Sequence, residues 1–316
     1  MKQITFNYFR IILTLATTAL AVCCTEQNST AKNTDAETDG LKGKVKSMRQ
    51  IPHKEEEKFD EECGTMAVLR VNNNLLIKYD DKGNKTEYNE YHTDGRLDHK
   101  ISYKYDDKGN RTEENQYSPN GYFAHLTRKT LHKYDDNGNL TEKNQYDSDG
   151  DLYEKHTYRY DGKGNLTEEN QYNSYGSLEY KYTCKYDDKG NKIEEKNEYV
   201  LLDSYDSKST YRYDGKGKLT EKNHYQSDGS LDHKATYKYD KGNLTEINYY
   251  DADGNLDRKD ISKYDGKGNL TEKNYYDSGG NLLGKTVYKN DSKGNWIEKI
   301  EYEGEIITER KIEYYE

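Results

Sequence analysis

Glutamate, asparagine and tyrosine recur in this chain at fixed spacing, and side by side they could hold a sugar. A glutamate stands at positions 87, 113, 142, 168, 194, 221, 246, 272 and 298, and in most of these places an asparagine follows two residues later. Tyrosine supplies 34 of the 316 residues. Ring faces stack on the C–H faces of a sugar, while carboxylates and amides hydrogen-bond its hydroxyls. On a β-face built from these residues, Tyr158, Glu168, Asn170 and Tyr182 make the candidate ligand face, with Glu168 expected between the two rings. The same groups also have a plain architectural use. Tyrosine hydroxyls and asparagine amides satisfy carboxylates across strands, at about 0.2–1 kcal/mol per pair.

Two irregular segments are further candidates. Residues 117–133 insert three residues and bring in Tyr122, Phe123, His125 and His132, while residues 199–210 lose the turn glycine and present Val200-Leu201-Leu202. Repeat proteins recognise partners where the repeat breaks, although drift in a tolerant array produces the same irregularity. Asp251-Ala252-Asp253-Gly254-Asn255 imitates the start of a calcium loop, but its glycine falls at the fourth position and Ser262 stands at the twelfth. Asp and Gly are already required there by a turn, so no metal and no cofactor is expected. The 8 histidines are scattered, with no nucleophile–base arrangement and no phosphate-cradling glycine loop. The expectation is a protein that is not an enzyme. Cys63 and Cys184 have no partner spacing for zinc or a disulfide framework, and Cys184 reads as a packing position.

The elements that position these residues follow from an internal repeat. Lys78-Tyr79-Asp80-Asp81-Lys82-Gly83-Asn84-Lys85-Thr86-Glu87 recurs from Lys104, Lys133, Arg159, Lys185, Arg212, Lys238, Lys263 and Lys289, at intervals of 25–29 residues. A second turn signal lies between successive copies, as in Ser148-Asp149-Gly150, so strand and turn alternate about every 13 residues. In Tyr160-Asp161-Gly162-Lys163-Gly164-Asn165-Leu166, Asp and Gly suit a type I turn followed by a left-handed glycine bulge. That turn sets Asp161 opposite Asn165 and Tyr160 opposite Leu166. The shortened copy, Tyr239 to Leu244, keeps the Tyr–Leu pair with a two-residue loop. Even separations along each strand put the tyrosine and leucine anchors on one face, with Thr157, Arg159, Thr167, Glu169 and Gln171 on the other, solvated face. The fold class is therefore all-β, an antiparallel β-meander repeat of about 18–20 short strands in a twisted or spiral single sheet.

Composition bounds the rest. Charged residues are 34% of the chain, the formal net charge is −10, and there are only 2 prolines. Few aliphatics exclude a large Leu/Ile/Val core and a polytopic membrane protein. An acidic chain without a basic patch excludes nucleic acid as a partner. Lys2 and Arg10 precede an apolar run, Ile11 to Val22, that ends on Cys23-Cys24. The run is too short for a permanent bilayer span.

This start resembles a bacterial lipoprotein signal, which implies that Cys23 or Cys24 carries a lipid and docks the chain in a membrane. The expected organisation is a signal over 1–24, a flexible tether over 25–40 and an N-terminal cap over 41–77. Nine repeats over 78–300 and a capping strand over 301–316 complete it. The repeated Tyr-Asp-x-x-Gly-Asn-Leu-Thr-Glu resembles the tyrosine–aspartate (YD, or Rhs-type) repeat of bacterial surface and toxin proteins. With the lipoprotein start and Leu41-Lys42-Gly43-Lys44-Val45, the chain also resembles surface lipoproteins of the Bacteroidetes. The resemblance implies long antiparallel sheets, a bacterial outer-membrane location and a binding or adhesion role toward a glycan or another surface ligand. Its alternative implication is an immunity or toxin-associated protein with a polypeptide partner.

Overall fold

The computed structural model describes residues 34–52, 57–60, 65–68, 74–92, 94–120, 123–302 and 306–315. The signal, with Cys23 and Cys24, lies outside the described residues. A helical turn, α1 (Asp35–Thr38), stands where tether was expected, and β1 (Val45–Pro52) follows it. β2 (Glu57–Asp60) and β3 (Thr65–Val68) pair as a separate two-stranded sheet. Then comes an antiparallel meander of β4 (Asn74–Tyr79), β5 (Lys85–Tyr91), β6 (Leu97–Tyr105), β7 (Arg111–Asn120), β8 (Phe123–Tyr134), β9 (Leu140–Tyr146) and β10 (Leu152–Tyr160). It continues through β11 (Leu166–Asn173), β12 (Leu178–Tyr186), β13 (Lys192–Tyr199), β14 (Ser207–Tyr213), β15 (Leu219–Tyr225) and β16 (Leu231–Asp240). It ends with β17 (Asn243–Tyr250), β18 (Leu256–Tyr264), β19 (Leu270–Asp277), β20 (Leu282–Asn290), β21 (Trp296–Glu301) and β22 (Ile306–Tyr314).

The sheet is closed rather than an open spiral. Met48 of β1 lies opposite Ile77 of β4 on one side and Ile312 of β22 on the other, so 20 strands complete a ring. The strand expected to cap the C-terminus is thus paired on both sides. Twenty spacings of about 4.8 Å give a radius of roughly 15 Å before strand tilt is counted, which leaves a lumen. Closure also removes both sheet edges, a standing aggregation hazard. The largest apolar cluster sits at this seam: Ala36, Leu41, Val45, Met48, Ile77 and Tyr79 are buried together. Asp35 fastens α1 to the wall, accepting bonds from the Tyr105 hydroxyl at 2.6 Å and the Lys85 amide at 2.9 Å, with Arg111 at 3.1 Å.

Each residue of the repeat has a bonding task. In the turn after β10, one oxygen of Asp161 accepts the backbone N–H groups of Lys163 and Asn165, and the other accepts the Asn165 amide at 2.9 Å. Gly164 supplies the left-handed conformation at φ +83°. Tyr160 faces Leu166 and Asp161 bonds Asn165, the register expected from the turn. The shortened copy keeps Tyr239 opposite Leu244 through Lys241 and Gly242, both at positive φ, the conformation of a two-residue hairpin turn. Tyrosine joins one repeat to the one before: the Tyr186 hydroxyl donates to the Leu166 carbonyl at 2.9 Å, as Tyr105, Tyr134, Tyr213 and Tyr264 do to their counterparts. Where the ninth copy has Asn290 instead, its amide donates to the Leu270 carbonyl at 2.9 Å.

Threonine marks a second irregularity that parity alone does not reveal. Arg159 lies opposite Glu168 but Tyr160 lies opposite Leu166, so Thr167 is an extra residue in β11, a β-bulge. Its hydroxyl donates to the Arg159 carbonyl at 3.2 Å, and Thr112, Thr141, Thr220 and Thr271 repeat the bond. A bulge reverses the faces. Leu166 shares a face with Tyr160 and Glu169, whereas Glu168, Asn170 and Tyr172 point to the other side. The Tyr172–Leu178 pair therefore lies on the face opposite to Tyr160–Leu166, and the expected single anchor face does not exist.

Glu168 and its counterparts line the outer face, where their register partners are exposed: the Lys104 side chain is 67% accessible and Arg159 77%. Each of these carboxylates is bracketed. Glu142 lies 2.6 Å from Lys133, 2.8 Å from Lys155 and 2.8 Å from the Asn144 amide. Bonds from Lys133 and then Lys155 hold Glu142 down to about 2; Asn115 and Lys104 do the same for Glu113, and Lys263 and Asn274 for Glu272.

Two outcomes follow from this bonding. Tyr186→Phe keeps the ring and removes one hydroxyl–carbonyl bond, so urea unfolding should lose about 1 kcal/mol at unchanged m value; an unaltered midpoint would refute the inter-repeat role. The depressed glutamates contribute stability that is complete above their ordinary value of 4.5 and lost as pH falls toward about 2. The melting temperature should drop across that window, and added salt should shrink the drop.

Candidate functional site

The bulges decide what the inner wall presents. Tyr158 on β10 and Tyr182 on β12 both lie opposite Glu169 of β11, not Glu168. Glu168 instead sits between Arg159 and Thr183, with Lys181 at 3.0 Å, and Asn170 donates to it at 2.8 Å. The four residues of the candidate ligand face thus divide into two inner and two outer. Glu169, expected on the solvated face, is the carboxylate that the rings flank. Burial, then the Glu169 charge and hydrogen bond, raises the Tyr158 pKa well above its ordinary value.

His156 stands beside this row. Its Nδ1 is 2.8 Å from Glu169, its Nε2 contacts Glu154, and its ring lies nearly parallel to Tyr158 at 6.3 Å. Glu154 also accepts the amides of Gln145 at 2.7 Å and Gln171 at 3.0 Å. Two strands on, Glu195 gathers the Lys192 ammonium at 2.6 Å, the Tyr182 hydroxyl at 2.8 Å and the Tyr211 hydroxyl at 2.5 Å. Burial opposes its charge, but Lys192 and the two phenols override that and hold Glu195 down to about 2. Burial lowers the Lys222 pKa. Cys184, opposite Glu195, is a buried free thiol whose pKa burial raises. The result is a continuous wall of rings, carboxylates and cations from β9 to β16. Its members are oriented by one another; some recur between repeats, as Glu169 and Glu195 do with Glu114, and others, such as His156, do not.

The irregular segments resolve differently. The three-residue insertion lengthens the β7–β8 hairpin. Tyr122 and the Phe123 side chain lie outside the described residues. His125 is exposed and His132 half-buried on one strand, seven residues apart, about 23 Å along it. They do not form one cluster. Burial, then Arg111, lowers the His132 pKa to about 4, so the ring is neutral. Val200, Leu201 and Leu202 are exposed at 50%, 84% and 55%, beside Tyr205. The Asp251 carboxylate accepts the backbone amide and side-chain amide of Asn255, the ordinary task of aspartate in these turns. Sequence reasoning missed His156, Glu154, Lys192 and Glu195. For Glu154 and His156 the available signal was departure from the repeat, readable only once the bulge is placed; Lys192 and Glu195 stand where other copies have Arg111 and Glu114.

No family model matches the chain, and no curated relative does. Solved structures similar to it include TcdB2-TccC3, at 15% identity and TM-score 0.42 over 86% of this chain and 17% of that one. TcdB2-TccC3-Cdc42 gives 14% and 0.41 over the same shares. A porin-like protein from Bacteroides uniformis gives 13% and 0.35 over 85% and 96%. The chain spans about a sixth of the TcdB2-TccC3 chains, and at these scores the likeness carries no functional argument.

Glu195 distinguishes a dry wall from a wet one. Glu195→Gln leaves Lys192 without its carboxylate and should cost about 3–5 kcal/mol if the pair is sheltered, with Lys192→Met added to it restoring much of the loss. A cost under about 1 kcal/mol, the value of an exposed pair, would show that lumen water screens it.

Proposed function

We propose that this protein is a YD-repeat surface lipoprotein whose barrel binds a glycan on its inner wall and performs no catalysis. The observation that carries the reading is the row Tyr158–Glu169–Tyr182 continued by His156 and Glu195: ring faces, carboxylates and amides meet on the enclosed side. On the outer face the repeated glutamates pair with Lys and Arg side chains. A lattice of Lys–Glu pairs also argues against this barrel lying in hydrocarbon, where a Lys or Arg on the lipid face costs about 2–4 kcal/mol at mid-depth. Among the described residues no helix is long and apolar enough to cross a membrane. Attachment to a bacterial outer membrane then falls to a lipid on Cys23 or Cys24. The second reading, a polypeptide partner as in immunity or toxin-associated proteins, draws on the exposed Val200–Leu202 segment.

A glycan array discriminates between them. Tyr158→Ala with Tyr182→Ala should cut retention at least about tenfold, taking roughly 0.7 kcal/mol or more from each ring. Glu168→Gln with Asn170→Ala, on the outer face, should leave it unchanged. Equal effects of the two double variants would refute a lumen site. Retention of no glycan, together with a binding partner lost on Leu201→Ser with Leu202→Ser, would favour the polypeptide reading.

A further inference from the structure

Arg310 of β22 stands opposite Gln50 of β1 and shares its face with buried Thr308 and with Ile312 of the seam cluster, so it belongs to the inner wall. Its guanidinium lies over the Trp296 ring, 3.5 Å from the centroid, and Trp296 meets Tyr288 edge-on at 6.3 Å. Trp296 occupies the place that Leu140, Leu166, Leu219 and Leu270 fill in other copies. Stacking covers the flat face of a guanidinium and leaves its in-plane donors usable. Nε donates to the Gln50 Oε1 at 3.3 Å. The other four N–H groups have no protein acceptor among the described residues.

Arg310 also lacks a counter-ion. Elsewhere on this wall Arg111 meets Asp35 at 3.1 Å and Arg258 meets Asp260 at 3.3 Å. Asp39 is the carboxylate that acts on Arg310. It is already engaged by the Tyr79 hydroxyl at 2.5 Å and the Lys85 ammonium at 3.0 Å. Burial presses the Arg310 pKa down to about 10, which leaves the group charged at neutral pH. The ring contact offsets part of the desolvation of that charge, and an anion in the lumen would offset the rest.

From this geometry we propose that Arg310, backed by Trp296, is a binding site for an acidic sugar, one that carries a carboxylate or a sulfate. It rests on the glycan-binding reading of the lumen and narrows the ligand to acidic glycans. The terminal N–H groups of a guanidinium form a fork that matches two oxygens of such a group. The Gln50 amide N–H groups and the Tyr288 hydroxyl, also without a protein partner among the described residues, add neutral donors or acceptors for the sugar hydroxyls.

The chain has a single tryptophan, so its emission reports on this site. Titration of the full chain with oligogalacturonate, and in parallel with a sulfated galactan oligosaccharide, should shift that emission to saturation with at least one of the two and so tell carboxylate from sulfate. The methyl ester of the oligogalacturonate should leave the emission unmoved. Arg310→Gln should weaken binding at least about tenfold, and Arg310→Lys, which keeps the charge and loses the fork, should fall between. Lys311→Gln, which removes the same charge from the exposed face of the same strand, should change nothing, and circular dichroism verifies folding of each variant. Emission unmoved by both acids, an equal response to the ester, or undiminished binding by Arg310→Gln would overturn the site. On the glycan array, retention of neutral glycans alone, lost on Tyr158→Ala with Tyr182→Ala, would overturn it while sustaining the lumen reading. Acid binding lost in Arg310→Gln but untouched by that double variant would sustain this site and refute the Tyr158–Tyr182 row.

Discussion

One extra residue just after most of the hairpin turns governs the rest of this structure. Thr167 and its counterparts add a bulge just after the turn, and the bulge does two things. It reverses which face each following side chain occupies, and it increases the local twist of the strand. Reversal sends the repeated glutamates outward, to meet Lys and Arg in a bracketed lattice. It sends Tyr158, Glu169 and Tyr182 inward. Twist repeated around so many strands makes the sheet coil, until β4 and β22 stand close enough for β1 to enter between them.

A sheet built this way needs little aliphatic core. The Asp161 carboxylate satisfies the backbone donors of its own turn, the Tyr186 hydroxyl satisfies a carbonyl in the preceding repeat, and Thr167 closes the bulge. Each such bond is modest, about 1 kcal/mol net, but all recur around the ring. Asn290 shows that the bond rather than the aromatic ring is the requirement, since an amide reaches the same carbonyl. Apolar packing is concentrated where no repeat contact exists, at the seam. Leu41, Val45 and Met48 there seal a junction between the two ends of the chain that the repeat cannot supply.

Much of the local architecture is legible in the sequence. Strand ends, the Tyr160–Leu166 pair and the two-residue loop at 241–242 follow from turn chemistry, because Asp, Gly and Asn leave few backbone choices. The assignment of faces is not legible by counting. Parity along a strand assumes a regular pleat, and Thr167 looks like any other β-branched strand residue until its partner Arg159 is known. That single unseen residue moves Glu168 out and Glu169 in, and splits the candidate ligand face. Closure is equally hidden, since it depends on an accumulated twist and on a segment, Val45–Pro52, that carries no repeat signature.

The division between fixed and variable positions then separates scaffold from function on physical grounds. Positions that make turns, bulges and inter-repeat bonds must repeat, because every copy has the same backbone groups to satisfy. The remaining positions on the inner wall face the lumen and carry no such obligation. There the chain places Glu154 with His156, stacks His224 on His233, and sets Lys192 with Glu195, a cation–carboxylate couple that Arg111 and Glu114 repeat. A side chain that costs burial and charge, yet is not required by the repeat, must be maintained by what it contacts locally or by what it binds. For Glu195 the local contacts are complete.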